Sequence, residues 1–156
     1  GLRAYLTDAG YTVVMTRDKD VDLAEAGESF KQSDMRARRD IINAAEPDLV
    51  ISVHQNSYPL RSVSGAQVFY SASSETGREY AERMQSVLNA ALSCDRAAKS
   101  ADYYILECSQ YPSVLVECGF MSNPEEESRL VTPEYRRMVA YALYSCIVTV
   151  LGEEGA

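Results

Sequence analysis

Apolar and polar positions alternate along the chain with two distinct periods, and the switches between them mark the elements. Leu2, Tyr5, Leu6 and Ala9 recur at three- and four-residue steps over residues 1–10, which predicts a helix closed by Gly10. Residues 11–16 are rich in β-branched side chains and predict a strand. The polar, acidic stretch 18–32 predicts a loop, and Ser33 stands where it can cap a helix running to about Ala45, with Met35, Ile41 and Ile42 among its apolar positions. Asp-Leu-Val-Ile-Ser-Val-His at 48–54 is a nearly continuous apolar run, as in strands covered on both faces. Residues 55–65, with Pro59, predict a loop, and 66–71 a further strand.

Residues 74–92 predict a long helix with the stripe Tyr80, Met84, Val87, Leu88 and Leu92. Two short strands are expected at 103–106 and 113–117. Asn123, Pro124 and Glu126 form a helix start: a capping asparagine, proline at the first position, glutamate three on. Thr132 and Pro133 open a last helix, whose Tyr135, Met138, Val139, Ala142, Leu143, Cys146, Ile147 and Val150 keep helical spacing up to Gly152. Strands alternating with helices imply an α/β fold: a single domain over residues 1–156 with a mainly parallel twisted sheet flanked by helices. The first helix has its apolar face in register from residue 2, yet no capping residue or strand precedes it. The expectation is therefore an N-terminally truncated domain with the first strand of its sheet absent.

The 156 residues carry a formal net charge of -8, which argues against a nucleic-acid partner and against adsorption to an anionic membrane. No run approaches the roughly 18 apolar residues that span a bilayer. The four cysteines show no CxxC spacing. Cys118 and Cys146 lie in apolar runs and read as small buried hydrophobes. Cys94 and Cys108 lie in loop-like segments, and a bridge between them stays open.

The candidate chemistry sits at strand ends. His54 is the only histidine and closes a buried strand. Open α/β sheets bind ligands at that edge, so it is placed to act as a metal ligand or base. The same position also suits a histidine hydrogen-bonded to the next loop. Glu117 ends the apolar run 113–116, where a carboxylate is costly unless paired or functional. Burial would raise its pKa into the range useful for acid–base work. The alternative is a salt bridge to an arginine. Parallel strands would bring the two groups to one edge, and a histidine-ligated zinc beside a glutamate base is one solution to amide hydrolysis.

The chain resembles the zinc-dependent N-acetylmuramoyl-L-alanine amidases shared by autolysins and division amidases. The matching stretches are Gly-Tyr-Thr-Val at 10–13 with Thr16, Arg17 and Asp18, then residues 36–43 leading into Asp-Leu-Val-Ile-Ser-Val-His-Gln-Asn at 48–56, and Val-Glu-Cys-Gly-Phe-Met-Ser-Asn at 116–123. Ser-Val-His-Gln-Asn-Ser-Tyr at 52–58 and Gly-Ala-Gln-Val-Phe-Tyr at 65–70 resemble the sporulation branch, which strips peptide from muramic acid on the way to the muramic δ-lactam of the spore cortex.

The resemblance implies a peptidoglycan hydrolase that cuts between N-acetylmuramic acid and the L-alanine of the stem peptide, outside the membrane in the cell wall or the forespore intermembrane space. It implies Zn2+ as cofactor, His54 as a metal ligand and Glu117 as catalytic base and acid. Family zinc is held by a histidine in a Gly-His-Gly-Gly turn, a glutamate at the start of the next helix, and a later strand-end histidine. Only the last matches here, as His54; the first two would lie upstream of Gly1, so this chain is expected to hold zinc weakly and to be impaired. Arg96 in the loop 94–102 is a candidate substrate contact, against the reading of a solvated surface charge. Glu107 stands where the family often has a basic residue, and Tyr58, Tyr70, Tyr103 and Tyr104 suit sugar stacking or plain packing. Peptidoglycan is the expected partner, with room for a regulatory protein and for self-association through an exposed sheet edge. Two further hypotheses are a catalytically inactive peptidoglycan- or partner-binding domain, and a zinc-free α/β protein in which His54 and Glu117 are structural.

Overall fold

The computed structural model describes residues 1–18 and 30–152. The chain begins with helix α1 (Leu2–Asp8). It ends on Gly10, whose φ of +91° lets the Gly10 N–H reach the Thr7 carbonyl and the Tyr11 N–H the Leu6 carbonyl, the paired bonds that close a helix. Residues 11–16 then run without ladder pairing, not as the expected strand. A strand needs a neighbour to take its N–H and C=O groups, and none pairs with this segment among the described residues. Most of the expected loop 18–32 lies outside the described residues.

Helix α2 (Phe30–Ala45) starts before Ser33, so Ser33 is a buried residue of its first turn and not its cap. Strand β1 (Val50–Asn56) follows, then β2 (Gln67–Tyr70) and helix α3 (Glu75–Leu92). The Ser74 hydroxyl caps α3 by accepting the Gly77 N–H. A two-residue strand β3 (Lys99–Ser100), too short to leave a periodic signal, pairs with β2. Residues 104–107 form one helical turn, α4 (Tyr104–Glu107), where a strand was expected; a short apolar run does not distinguish the two, and here burial of Leu106 is met by a turn packed against the sheet.

Strand β4 (Ser113–Phe120) is buried along its whole length. Helix α5 (Pro124–Leu130) starts as its sequence dictates, the Asn123 side chain accepting the N–H groups of Glu125 and Glu126. Helix α6 (Pro133–Leu151) is capped by the Thr132 hydroxyl. All four cysteines are free thiols, which closes the question of a Cys94–Cys108 bridge. Burial pushes the Cys118 and Cys146 thiols up to about 12, as small buried hydrophobes should be.

Among the described residues the sheet order is β1-β4-β2-β3. The β1–β4 and β2–β3 pairs are parallel and the β2–β4 pair is antiparallel. Two of three pairings therefore match the expected parallel sheet, and the antiparallel one brings the start of β2 to the same edge where β1 and β4 end. Side chains alternate between faces along a strand. Val114, Val116 and Cys118 of β4 join Val68 of β2, Met84 and Leu88 of α3, and Val139, Leu143 and Cys146 of α6 in the main core. The other face carries Leu115 and Glu117 beside Phe69, whose ring meets Tyr103 edge-on at 5.7 Å.

The loop after β1 is tied to the end of β4. The Ser122 hydroxyl accepts the Tyr58 N–H at 3.0 Å, and Met121 donates its N–H to the Asn56 carbonyl at 2.7 Å. Glu126 spans the join: one carboxylate oxygen accepts the Gly65 N–H at 3.0 Å and the other the Phe120 N–H at 2.8 Å. Glu126→Ala should leave two backbone donors without their acceptor and cost about 1–3 kcal/mol in a urea melt. Leu88→Ala, at a fully buried site between α3 and α6, should cost about 2–5 kcal/mol.

Candidate active site

Parallel pairing of β1 with β4 runs in register from Val50↔Ser113 to His54↔Glu117 and breaks immediately afterwards, before Asn56↔Phe120. In-register parallel partners project to the same face, so His54 and Glu117 stand side by side at the carboxyl ends of β1 and β4. On the far side of Glu117 the antiparallel register places Gln67. The row is thus His54, Glu117, Gln67, one residue from each of three adjacent strands.

Glu117 is 8% exposed, and its Oε2 is buried without a hydrogen-bond partner. No ion pair reaches it among the described residues, so the arginine salt bridge is ruled out there as the reason for its burial. Burial pushes its pKa above the ordinary carboxylate value. His54 is exposed, and its Nε2 lies 2.9 Å from the Ser52 hydroxyl on the same strand, not against the following loop. Burial of the ring first, and the charge of Arg38 second, hold its pKa below the usual histidine value. In its neutral form the imidazole has a lone pair to offer a metal. Arg38 itself is held by Asp34 at 2.7 Å.

Gln67 escaped the sequence reading. The signal was a polar residue inside the buried run 66–71, the same anomaly that singled out Glu117. It is 3% exposed and fully engaged: its Nε2 donates to the Ala97 carbonyl at 2.8 Å and its Oε1 accepts from Arg96 at 2.7 Å. Arg96 is half-buried, with its guanidinium 5.5 Å from the centre of the Phe120 ring, and is not the solvated surface charge weighed above. Glu107 accepts a hydrogen bond from the Ser71 hydroxyl at 3.0 Å, at the far end of β2 from the row.

The model of the N-acetylmuramoyl-L-alanine amidase family matches residues 1–149. The chain belongs to the N-acetylmuramoyl-L-alanine amidase family. These enzymes are peptidoglycan hydrolases. A germination-specific N-acetylmuramoyl-L-alanine amidase of Bacillus subtilis is 35% identical over 160 residues, which span 99% of this chain and 68% of that protein. The amidase LytC of the same organism is 32% identical over 109 residues, 68% of this chain but 22% of its own length. Among solved structures, the CwlD amidase from Clostridioides difficile, determined in complex with the GerS lipoprotein, superposes with a TM-score of 0.92 at 28% identity, over 97% of this chain and 81% of that one. AmiC2 of Nostoc punctiforme gives 0.83 at 28% identity, over 97% and 78%. The amidase fold expected from the sequence is therefore the fold observed.

A catalytic zinc takes three protein ligands and an open position. Among the described residues no three histidine, cysteine, aspartate or glutamate side chains gather into such a group. An imidazole nitrogen of His54 suits a zinc ligand, but the described residues do not complete a zinc site. No helix among the described residues is long and apolar enough to cross a membrane.

The buried Glu117 makes a signed stability prediction. A folded pKa raised above the unfolded one gives stability at acid pH that is lost as pH rises through the folded pKa, so at neutral pH the carboxylate opposes folding. Glu117→Gln should therefore unfold at higher urea than the parent at pH 7, and that advantage should shrink toward about pH 4. Parallel urea melts at the two pH values measure it.

Proposed function

We propose that this chain carries the proton-transferring part of an amidase site that cuts the bond between N-acetylmuramic acid and the L-alanine of the stem peptide, with residues 1–156 as its catalytic domain. The observation that carries the reading is the in-register pairing of His54 with Glu117, whose carboxyl is buried without a partner. Glu117 would take a proton from the attacking water and return it to the leaving alanine nitrogen. Burial supports that role, since it raises the carboxyl's pKa and makes it a stronger base than an ordinary carboxylate. His54 is the ligand this chain offers to zinc. The remaining ligands are not found among the described residues, so no step is routed through the metal.

The likeness to the germination-specific amidase and to CwlD supports a place in the sporulation branch, with spore-cortex peptidoglycan as substrate and action outside the membrane. The CwlD complex with a lipoprotein supports a protein partner for this chain as well. A second reading, an inactive peptidoglycan- or partner-binding domain, is favoured by one observation only: the incomplete zinc group.

Release of stem peptide from purified muropeptides, followed by mass spectrometry, separates the two. On the amidase reading, any zinc-dependent release should fall by about 10²- to 10⁴-fold in Glu117→Gln. Release unaffected by that substitution would remove Glu117 from the chemistry, and muropeptide binding with no release under zinc would favour the binding domain. Elemental analysis of the dialysed chain should find well under one zinc per chain, and His54→Ala should abolish what is found.

A further inference from the structure

Arg96 lies between the row of His54, Glu117 and Gln67 and a cavity beside it. The cavity, of about 420 Å³, is walled by Ser62, Ser64, Asn123 and Arg129 together with Arg96 itself. Arg96 is brought there by close packing. Gly65, at φ +94°, has no side chain, and a Cβ at that position would come within 3.1 Å of both the Arg96 Cγ and the Cys94 Cβ. The arginine stem crosses over this glycine, and the guanidinium comes to rest above Phe120 with one N–H given to the Gln67 Oε1.

A guanidinium has five N–H donors. Gln67 is the sole side-chain acceptor for Arg96, and no carboxylate pairs with it, among the described residues. The nearby Glu126 is not available, because both its oxygens already accept backbone N–H groups. The acidic Asp95 and Glu125 also line the cavity, and both are exposed. A half-buried cation with donors to spare, beside an open cavity, calls for an anionic acceptor, and arginine's planar fork matches a carboxylate.

We infer that Arg96 is a specificity-determining residue that binds a free carboxylate on the peptide leaving group, one residue beyond the scissile amide. The inference rests on the amidase reading and deepens it. Gln67 is the register partner of Glu117 across the antiparallel ladder. Arg96 is one hydrogen bond beyond. Two residues of extended peptide span about 7 Å. With its scissile carbonyl at Glu117, the substrate would therefore bring an acidic group on its second amino acid to Arg96.

Two muramoyl tripeptides test this, identical except that the second amino acid carries either a free α-carboxylate or its carboxamide. Calorimetric titration of the 156-residue chain should show the carboxylate form bound about tenfold or more tightly. Arg96→Gln should bring the two within about twofold of each other by weakening only the carboxylate form, and Arg96→Lys should keep part of the preference. Equal affinity of the parent chain for both probes would overturn the inference while leaving the amidase reading standing, and needs no variant to fold. A preference that survives in folded Arg96→Gln, judged by circular dichroism, would overturn it too. Failure of both muramoyl tripeptides to bind would overturn both readings together.

Discussion

Everything at the reactive edge depends on the register between β1 and β4. Side chains on paired strands alternate with period two, so a slip of one residue would turn His54 or Glu117 to the opposite face and separate them. The apolar residues on the two strands fix the alignment. Val114 and Val116 are buried in the core with α3 and α6, and Ile51, the register partner of Val114, packs against that same core. The reactive pair is thereby placed by the residues least involved in chemistry.

That placement opposes stability at one point. Glu117 is the last polar side chain of a strand buried throughout, and its second oxygen has no hydrogen-bond partner. An uncompensated carboxylate persists only where surrounding packing outweighs it. Here the fully buried Val114, Val116, Val68, Met84 and Leu88 surround its strand on the other face. The tension between a well-packed core and one unsatisfied carboxyl is what a site held ready for proton transfer would show.

Most of this was legible in the sequence where a local signal and the tertiary structure agree. Asn123 and Thr132 cap the helices their spacing foretold, and the apolar runs ending in His54 and Glu117 became adjacent parallel strands. The misses share a cause. Residues 11–16 have strand composition, but a strand is a relation between two segments, and no neighbour pairs with this one among the described residues. Tyr-Tyr-Ile-Leu at 103–106 carries too few residues to reveal a period, and the need to bury Leu106 was met by a helical turn. Gln67 was hidden because nothing in one sequence says which strand lies beside which; only the antiparallel placement of β2 makes it a neighbour of Glu117. Arg96 was named from the sequence as a candidate substrate contact, but its hydrogen bond to Gln67 became visible only in the fold.

That antiparallel strand has a consequence for how such a site can diversify. Because β2 starts where β1 and β4 end, the loop that joins β1 to β2 lies at the same edge as the row of His54, Glu117 and Gln67, and it is fastened at its two ends by Ser122 and Glu126. Between these ties Leu60 is exposed, and among the described residues only the Arg61 side chain reaches back, to the Ser122 carbonyl, so the stretch can change in composition while the strands beneath keep their alignment. Preference among cell-wall substrates can then evolve by editing one surface loop, without the chemistry having to be invented again.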